Sequence, residues 1–219
     1  MTLHPYLYVE GRDDQWSVIA LMGVNGIILK KDSGPVIVET TDSVSAMLDG
    51  LITFIKNSQA KRLPIGFVLD IDSDLTARWE SVKSKLINAG FQVPDDALSA
   101  DGVILNFKNG PVGFWLMPDN LCHSGKLEDF LRTLVPQDDC AIGIAKDFVR
   151  DVKSQIRPED RFRDIDVEKA EMSSWLAVQN PPGLPYGTAI TARILAPTSP
   201  VAARFVAWFC KLYGLASTR

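Results

Sequence analysis

The sequence predicts an α/β fold: a mixed, mainly parallel sheet flanked by helices, with a C-terminal helical extension. Three observations carry this. Strand-length apolar runs alternate with amphipathic helical patterns through the first half of the chain. Asn109-Gly110 lies between two apolar runs, Val103 to Phe107 and Val112 to Met117, a strong hairpin signal that makes the sheet mixed. Beyond Pro136 strand patterns give way to helical ones.

Tyr6 to Val9 reads as the first strand and Gln15 to Met22 as the helix after it, with Asp13 or Asp14 near its cap. Gly26 to Leu29 and Val36 to Val38 are short strand candidates. From Asp42 to Ser58, the residues Val44, Met47, Leu48, Leu51, Ile52 and Ile55 share one helical face. Ile65 to Leu69 is the next strand, bounded by Pro64 and Asp70. Leu75, Trp79, Val82, Leu86 and Ile87 then mark a helix that stops at Gly90, a residue suited to a left-handed cap. Ser124 is a candidate cap for a helix carrying Leu127, Phe130, Leu131 and Leu134. Helical patterns cover about 141–156 and 167–178, and a Pro/Gly-rich stretch from Asn180 to Gly187 precedes the last helices. The expected division is therefore an α/β core over 1–136 and a helical extension over 137–219, packed on that core.

With 219 residues, 46% of them hydrophobic, the chain has material for a full core. Its 23 basic and 27 acidic residues give a net charge of −4, against a dedicated nucleic-acid coat but compatible with an enzyme whose carboxylates hold metal. Cys122, Cys140 and Cys210 are odd in number and widely separated, so neither a disulfide framework nor a zinc spacing appears. No secretory pattern opens the chain, and Val201 to Leu215 is too short and too interrupted to span a bilayer. The expectation is a cytoplasmic protein without membrane contact, Val201 to Leu215 forming a buried or interface helix.

The chemistry concentrates in two runs. Tyr8-Val9-Glu10-Gly11-Arg12-Asp13-Asp14 and Phe67-Val68-Leu69-Asp70-Ile71-Asp72-Ser73-Asp74 each place carboxylates after a strand and before a helix. In a parallel sheet such strand ends share one edge, where ligands bind. Glu10 and Asp70, 60 positions apart, are thus expected to converge. Clustered carboxylates repel unless protons or cations neutralise them, which suggests a divalent cation, Mg2+ or Mn2+. Alternation along an extended backbone would put Asp70 and Asp72 on one side as a ligand pair. Asp74 reads better as a helix cap, since with Ser73 it stands just before the helix. Glu10 and Asp14 complete the first half of the site.

A third segment, Ser124-Gly-Lys126-Leu-Glu128-Asp129, follows the strand ending at Met117. Its acids would complement a helix dipole, yet Lys126 and Glu128 would also serve as a phosphate contact and a further ligand; both readings stand. Pro118-Asp119-Asn120 reads as a turn. His123 has no Ser or Cys partner pattern, which argues against a nucleophilic triad. Lys146, Arg150, Lys153, Arg157, Arg161 and Arg163 are interleaved with Asp147, Asp151, Glu159, Asp160 and Asp164, as on a solvated face. Trp115, Trp175 and Trp208 lie in apolar patterns and are expected in the core.

Val9-Glu10-Gly11-x-x-Asp14 and Asp70-x-Asp72 resemble the Toprim domain of topoisomerases, bacterial primases, OLD-family nucleases and small ribosomal-RNA maturases. The chain as a whole, including Phe114-Trp-Leu-Met-Pro-Asp119 and Gly125-Lys-Leu-Glu-Asp-Phe130, is similar to a group of small uncharacterised bacterial proteins related to the OLD nucleases. The resemblance implies magnesium- or manganese-dependent phosphodiester chemistry, with Glu10 as acid/base or metal ligand and Asp70 and Asp72 holding metal. The chain departs from these relatives in lacking both a strand-cleaving tyrosine domain and a Gly-Lys-Ser/Thr phosphate loop.

The leading expectation is a nuclease acting on DNA or RNA, with Glu10, Asp70, Asp72 and Lys126 as catalytic residues and Glu10, Asp14, Asp70, Asp72 and Glu128 as metal ligands. The alternative is a non-catalytic or partner-dependent regulatory or antiphage-defence component, binding metal or nucleotide in the same cleft. A homodimer or a separately encoded partner protein is compatible with either. A phosphatase of the haloacid-dehalogenase type matches Asp70-Ile-Asp72 superficially, but places that pair on its first strand.

Overall fold

A computed structural model describes residues 3–30, 33–155 and 162–216. Five strands form one sheet: β1 (Tyr6–Val9), β2 (Ile37–Thr40), β3 (Ile65–Asp70), β4 (Val103–Phe107) and β5 (Gly110–Met117), in the order β2-β1-β3-β5-β4. All neighbours run parallel except β4 and β5, which pair antiparallel through a turn at Lys108-Asn109, with Gly110 opening β5 opposite Phe107. The mixed, mainly parallel sheet expected from sequence is the one observed.

The chain leaves β1 toward β2, then returns past β1 to lay down β3. Right-handed crossovers in opposite directions place their helices on opposite faces. Accordingly α1 (Arg12–Val24) packs on one face through Val18, Leu21 and Met22, while α2 (Val44–Ala60) and α3 (Leu75–Asn88) cover the other through Met47, Leu51, Trp79 and Val82. On the second face Tyr8, Phe67 and Phe114 stand in register on adjacent strands and their rings stack at 5.7 and 5.4 Å. Asp74 caps α3, accepting a hydrogen bond from Ala77 N at 3.0 Å.

This winding leaves the α1 face bare over β3 and β5. The C-terminal segment fills it with α4 (Leu127–Arg132), α5 (Ala141–Gln155), α6 (Val167–Ala177), α7 (Tyr186–Thr191) and α8 (Pro200–Tyr213). Trp115, Val68 and Leu7 share one apolar cluster with Phe130, Trp175, Ile190, Phe205 and Trp208. Close approach of α8 depends on two glycines paired in register, Gly66 and Gly113. A Cβ on Gly113 would lie 2.5 Å from Leu212, and one on Gly66 would lie 2.6 Å from the Tyr213 hydroxyl. That hydroxyl donates to the Tyr6 carbonyl at 2.7 Å, tying the last helix to the first strand. Trp115, Trp175 and Trp208 are core residues as expected, and α8 is the buried helix read from Val201 to Leu215.

Four local expectations are corrected. Helix α1 begins at Arg12 rather than Gln15, because Asp14 reaches back to accept from Gly11 N at 3.1 Å and closes the first turn. Gly26 to Leu29 forms no strand; its surroundings hold only an isolated bridge between Lys30 and Ser33. The cap of α4 is Lys126 rather than Ser124, with the Asp129 carboxylate accepting from Lys126 N at 3.0 Å. Asp72 does not continue the extended line of β3: its φ of 60° is left-handed, so alternation with Asp70 fails there. Of the interleaved charges, Arg150 pairs with Asp147 and Lys153 with Asp164, while Arg157, Glu159, Asp160 and Arg161 lie outside the described residues. Among the described residues, no helix is long and apolar enough to cross a membrane.

Candidate functional site

The sheet order makes the gap between β1 and β3 the point where the winding reverses, and such points open a crevice at the C-terminal strand ends. Glu10 follows β1, Asp70 ends β3, and the segment after β5 leads to α4, so three strand ends deliver side chains to one edge. Backbone hydrogen bonds stitch them together. Glu10 Oε1 accepts from Asp70 N at 3.0 Å, and Asp70 Oδ1 accepts from Leu127 N at 3.0 Å. These carboxylates thus pin β1 to β3 and β3 to α4.

Glu10, Asp14, Asp70 and Glu128 line one cavity of about 340 Å³, with Arg12, Asp13, Asp42 and Lys169 on its walls. Asp14 and Glu128 are each only 8% exposed, unusual for carboxylates and costly if they ionise alone. Burial, reinforced by the neighbouring Glu10, raises the Asp14 pKa to about 7. Asp70 is pushed well above the usual carboxylate range, by burial first and then by Glu10, Asp14 and Glu128. Burial also raises Glu10, opposed by the hydrogen bond from Asp70 N, and raises Glu128. Cavities lined by groups perturbed in this way are where proton and cation chemistry concentrates.

Two expected site residues stand apart from that cavity. Asp72 lines a neighbouring space of about 320 Å³ with Ser124, Lys126 and Asp129, and its carboxylate binds Arg78 at 2.5 Å. Its backbone forms a two-way bridge with Gly125, at 2.9 and 3.0 Å, which holds the loop after β5 against the end of β3. The Lys126 ammonium turns away and donates to the Ile165 carbonyl at 2.6 Å. Both still act on the cluster through space: Asp72 raises Glu10, while Lys126 lowers Glu10 and Glu128. Asp119 is the turn residue expected, accepting from Leu121 N and Cys122 N.

Among the described residues, no three His, Cys, Asp or Glu side chains are already drawn together as a metal centre. The donor chemistry nonetheless fits a hard cation. Four carboxylates face one cavity, and their mutual repulsion and burial hold protons that a divalent cation would displace. Glu10 and Asp70 each spend one oxygen on a backbone N–H, and each carries a second.

Sequence reasoning missed Lys169, which reaches the cavity from α6 and pairs with Asp13 at 3.1 Å. Nothing local signals it, because 156 positions separate the two residues. Arg12 and Asp13 were within reach, since they stand inside the Glu10–Asp14 motif.

A family model described as "Protein of unknown function (DUF3226)" matches residues 4–214. No curated protein and no solved structure matches the chain.

Proposed function

The chain belongs to that family, whose description assigns no activity, and we propose from the site itself that the protein is a Mg2+- or Mn2+-dependent nuclease hydrolysing phosphodiesters of DNA or RNA. The observation supporting this reading is the convergence of Glu10, Asp14, Asp70 and Glu128 from separate strand ends into one cavity. The sequence resemblance to the Toprim domain points the same way. Asp14, Asp70 and Glu128 would hold the cation. When bound, such an ion supplies Lewis-acid polarisation of the phosphoryl oxygens and positive charge against the charge developing on them.

The remaining steps belong to side chains. Glu10 is fixed by the Asp70 N–H, and its pKa is raised by burial, which suits it to take the proton from attacking water and return one to the leaving oxygen. Arg12 and Lys169 on the cavity wall bring positive charge to the phosphate. Asp72 and Arg78 brace the loop between the two cavities, so Asp72 becomes a positioning residue in this reading. The three free cysteines are in keeping with a cytoplasmic setting.

Plasmid nicking and RNA cleavage by the purified chain, with Mn2+, Mg2+ or chelator, test the proposal. Cleavage should require the cation and be lost in Asp70→Asn, which keeps an oxygen acceptor for Leu127 N. Cleavage at the same rate in that variant, or in chelator, would overturn it.

A further inference from the structure

The acidic cavity continues past its carboxylates. It shares Asp13 and Lys169 with a space of about 240 Å³, which in turn shares Asp13, Pro185 and Tyr186 with a groove of about 490 Å³ between α1 and α7. Together they make one trough. At its far end stands Trp16, 49% exposed, whereas Trp79, Trp115, Trp175 and Trp208 are at most 4% exposed. An indole left in solvent forgoes the burial that its large apolar surface normally finds.

The ring is mounted on a rigid support. Gly187 lets α7 approach α1 so closely that a Cβ there would lie 2.7 Å from the Trp16 carbonyl oxygen. Opposite, Tyr186 is 6% exposed, with Ser173 beside its buried hydroxyl. Trp16 lies three residues beyond Asp13, about 4.5 Å along the helix axis. Asp13 and Trp16 thus stand within one turn of α1, Asp13 on the wall of the acidic cavity and Trp16 in the groove.

We propose that this trough is a nucleobase subsite. An unpaired base of a single-stranded DNA or RNA stacks on Trp16 in the α1–α7 groove, while the adjoining phosphate lies by Lys169 at the mouth of the acidic cavity. This rests on the nuclease reading and narrows it to substrates with unpaired nucleotides. An apolar peptide would fill the groove alone. A flat ring joined to an anionic backbone matches the groove, the Lys169 ammonium that Asp13 holds at its junction, and a cation held by the carboxylates beyond.

The test is binding of a fluorescently labelled oligothymidylate to the full chain in Ca2+, read by anisotropy and by tryptophan emission. Wild type should bind with quenching. Trp16→Ala should weaken binding roughly tenfold and abolish most of the quench, with Trp16→Phe restoring most of the affinity. Replacing the bases by abasic sugars should weaken wild type by a similar factor and leave Trp16→Ala unchanged. Equal affinity of Trp16→Ala and wild type, an equal abasic penalty in both, or no binding at all would overturn the proposal. Base-dependent binding in a chain that cuts nothing with any cation would uphold this subsite and defeat the hydrolytic reading alone.

Discussion

Replacing Asp14 by Asn asks directly whether a buried, crowded carboxylate stands at the heart of the site. Its pKa rises from 3.8 to about 7 on folding. A carboxyl raised in the folded state keeps its proton there, so the contribution is favourable at low pH and is lost as pH climbs from the unfolded toward the folded value. Raising the carboxyl that far corresponds to about 4 kcal/mol, taken as a ceiling. The penalty grows by about 1.4 kcal/mol per pH unit between about pH 4 and pH 7 and levels off above. Asn carries no such charge and can still accept from Gly11 N, the bond that closes the first turn of α1. Urea unfolding in chelator should therefore find Asp14→Asn nearly as stable as wild type at about pH 4, and more stable by about 3–4 kcal/mol at about pH 8. Mn2+ added at the higher pH should close the gap by stabilising wild type, since a cation takes the proton's place. A difference between the two proteins that is flat across this range would refute the reasoning.

Gly113→Val should lose about 1–3 kcal/mol in urea unfolding, because its Cβ meets Leu212 at 2.5 Å and displaces α8; an unchanged midpoint would show that the helix yields freely. Asp74→Ala should cost about 1 kcal/mol of stability through the lost cap of α3 while leaving cation-dependent cleavage intact; loss of cleavage would make Asp74 part of the site.

What could be read from the sequence was whatever a short window determines. The apolar runs of β1, β3 and β5, the Asn109-Gly110 hairpin and the one-sided pattern of α2 each lie within fewer than twenty residues. The meeting of Glu10 and Asp70 was also legible, because parallel strand ends share an edge whatever the intervening chain does. The Asp70–Asp72 pair was not. Period two holds only while the backbone stays extended, and β3 stops at Asp70 before Asp72 turns left-handed to bridge Gly125. Lys126 looked like a phosphate contact because it follows a third strand end, but its ammonium bonds to Ile165, a residue that no local pattern brings near. Lys169, Tyr186 and the exposure of Trp16 depend in the same way on how α6 and α7 pack against α1.

The bond between Tyr213 and Tyr6 spans 207 positions. Until α8 has left the ribosome, the glycine shelf of β3 and β5 has no lid, and an aromatic-rich surface faces solvent. Contacts of such long range slow the search for the native state. Chaperone demand during synthesis should therefore fall only once α8 is free to dock, and a ribosome stalled before Pro200 should display a chain that clumps rather than folds.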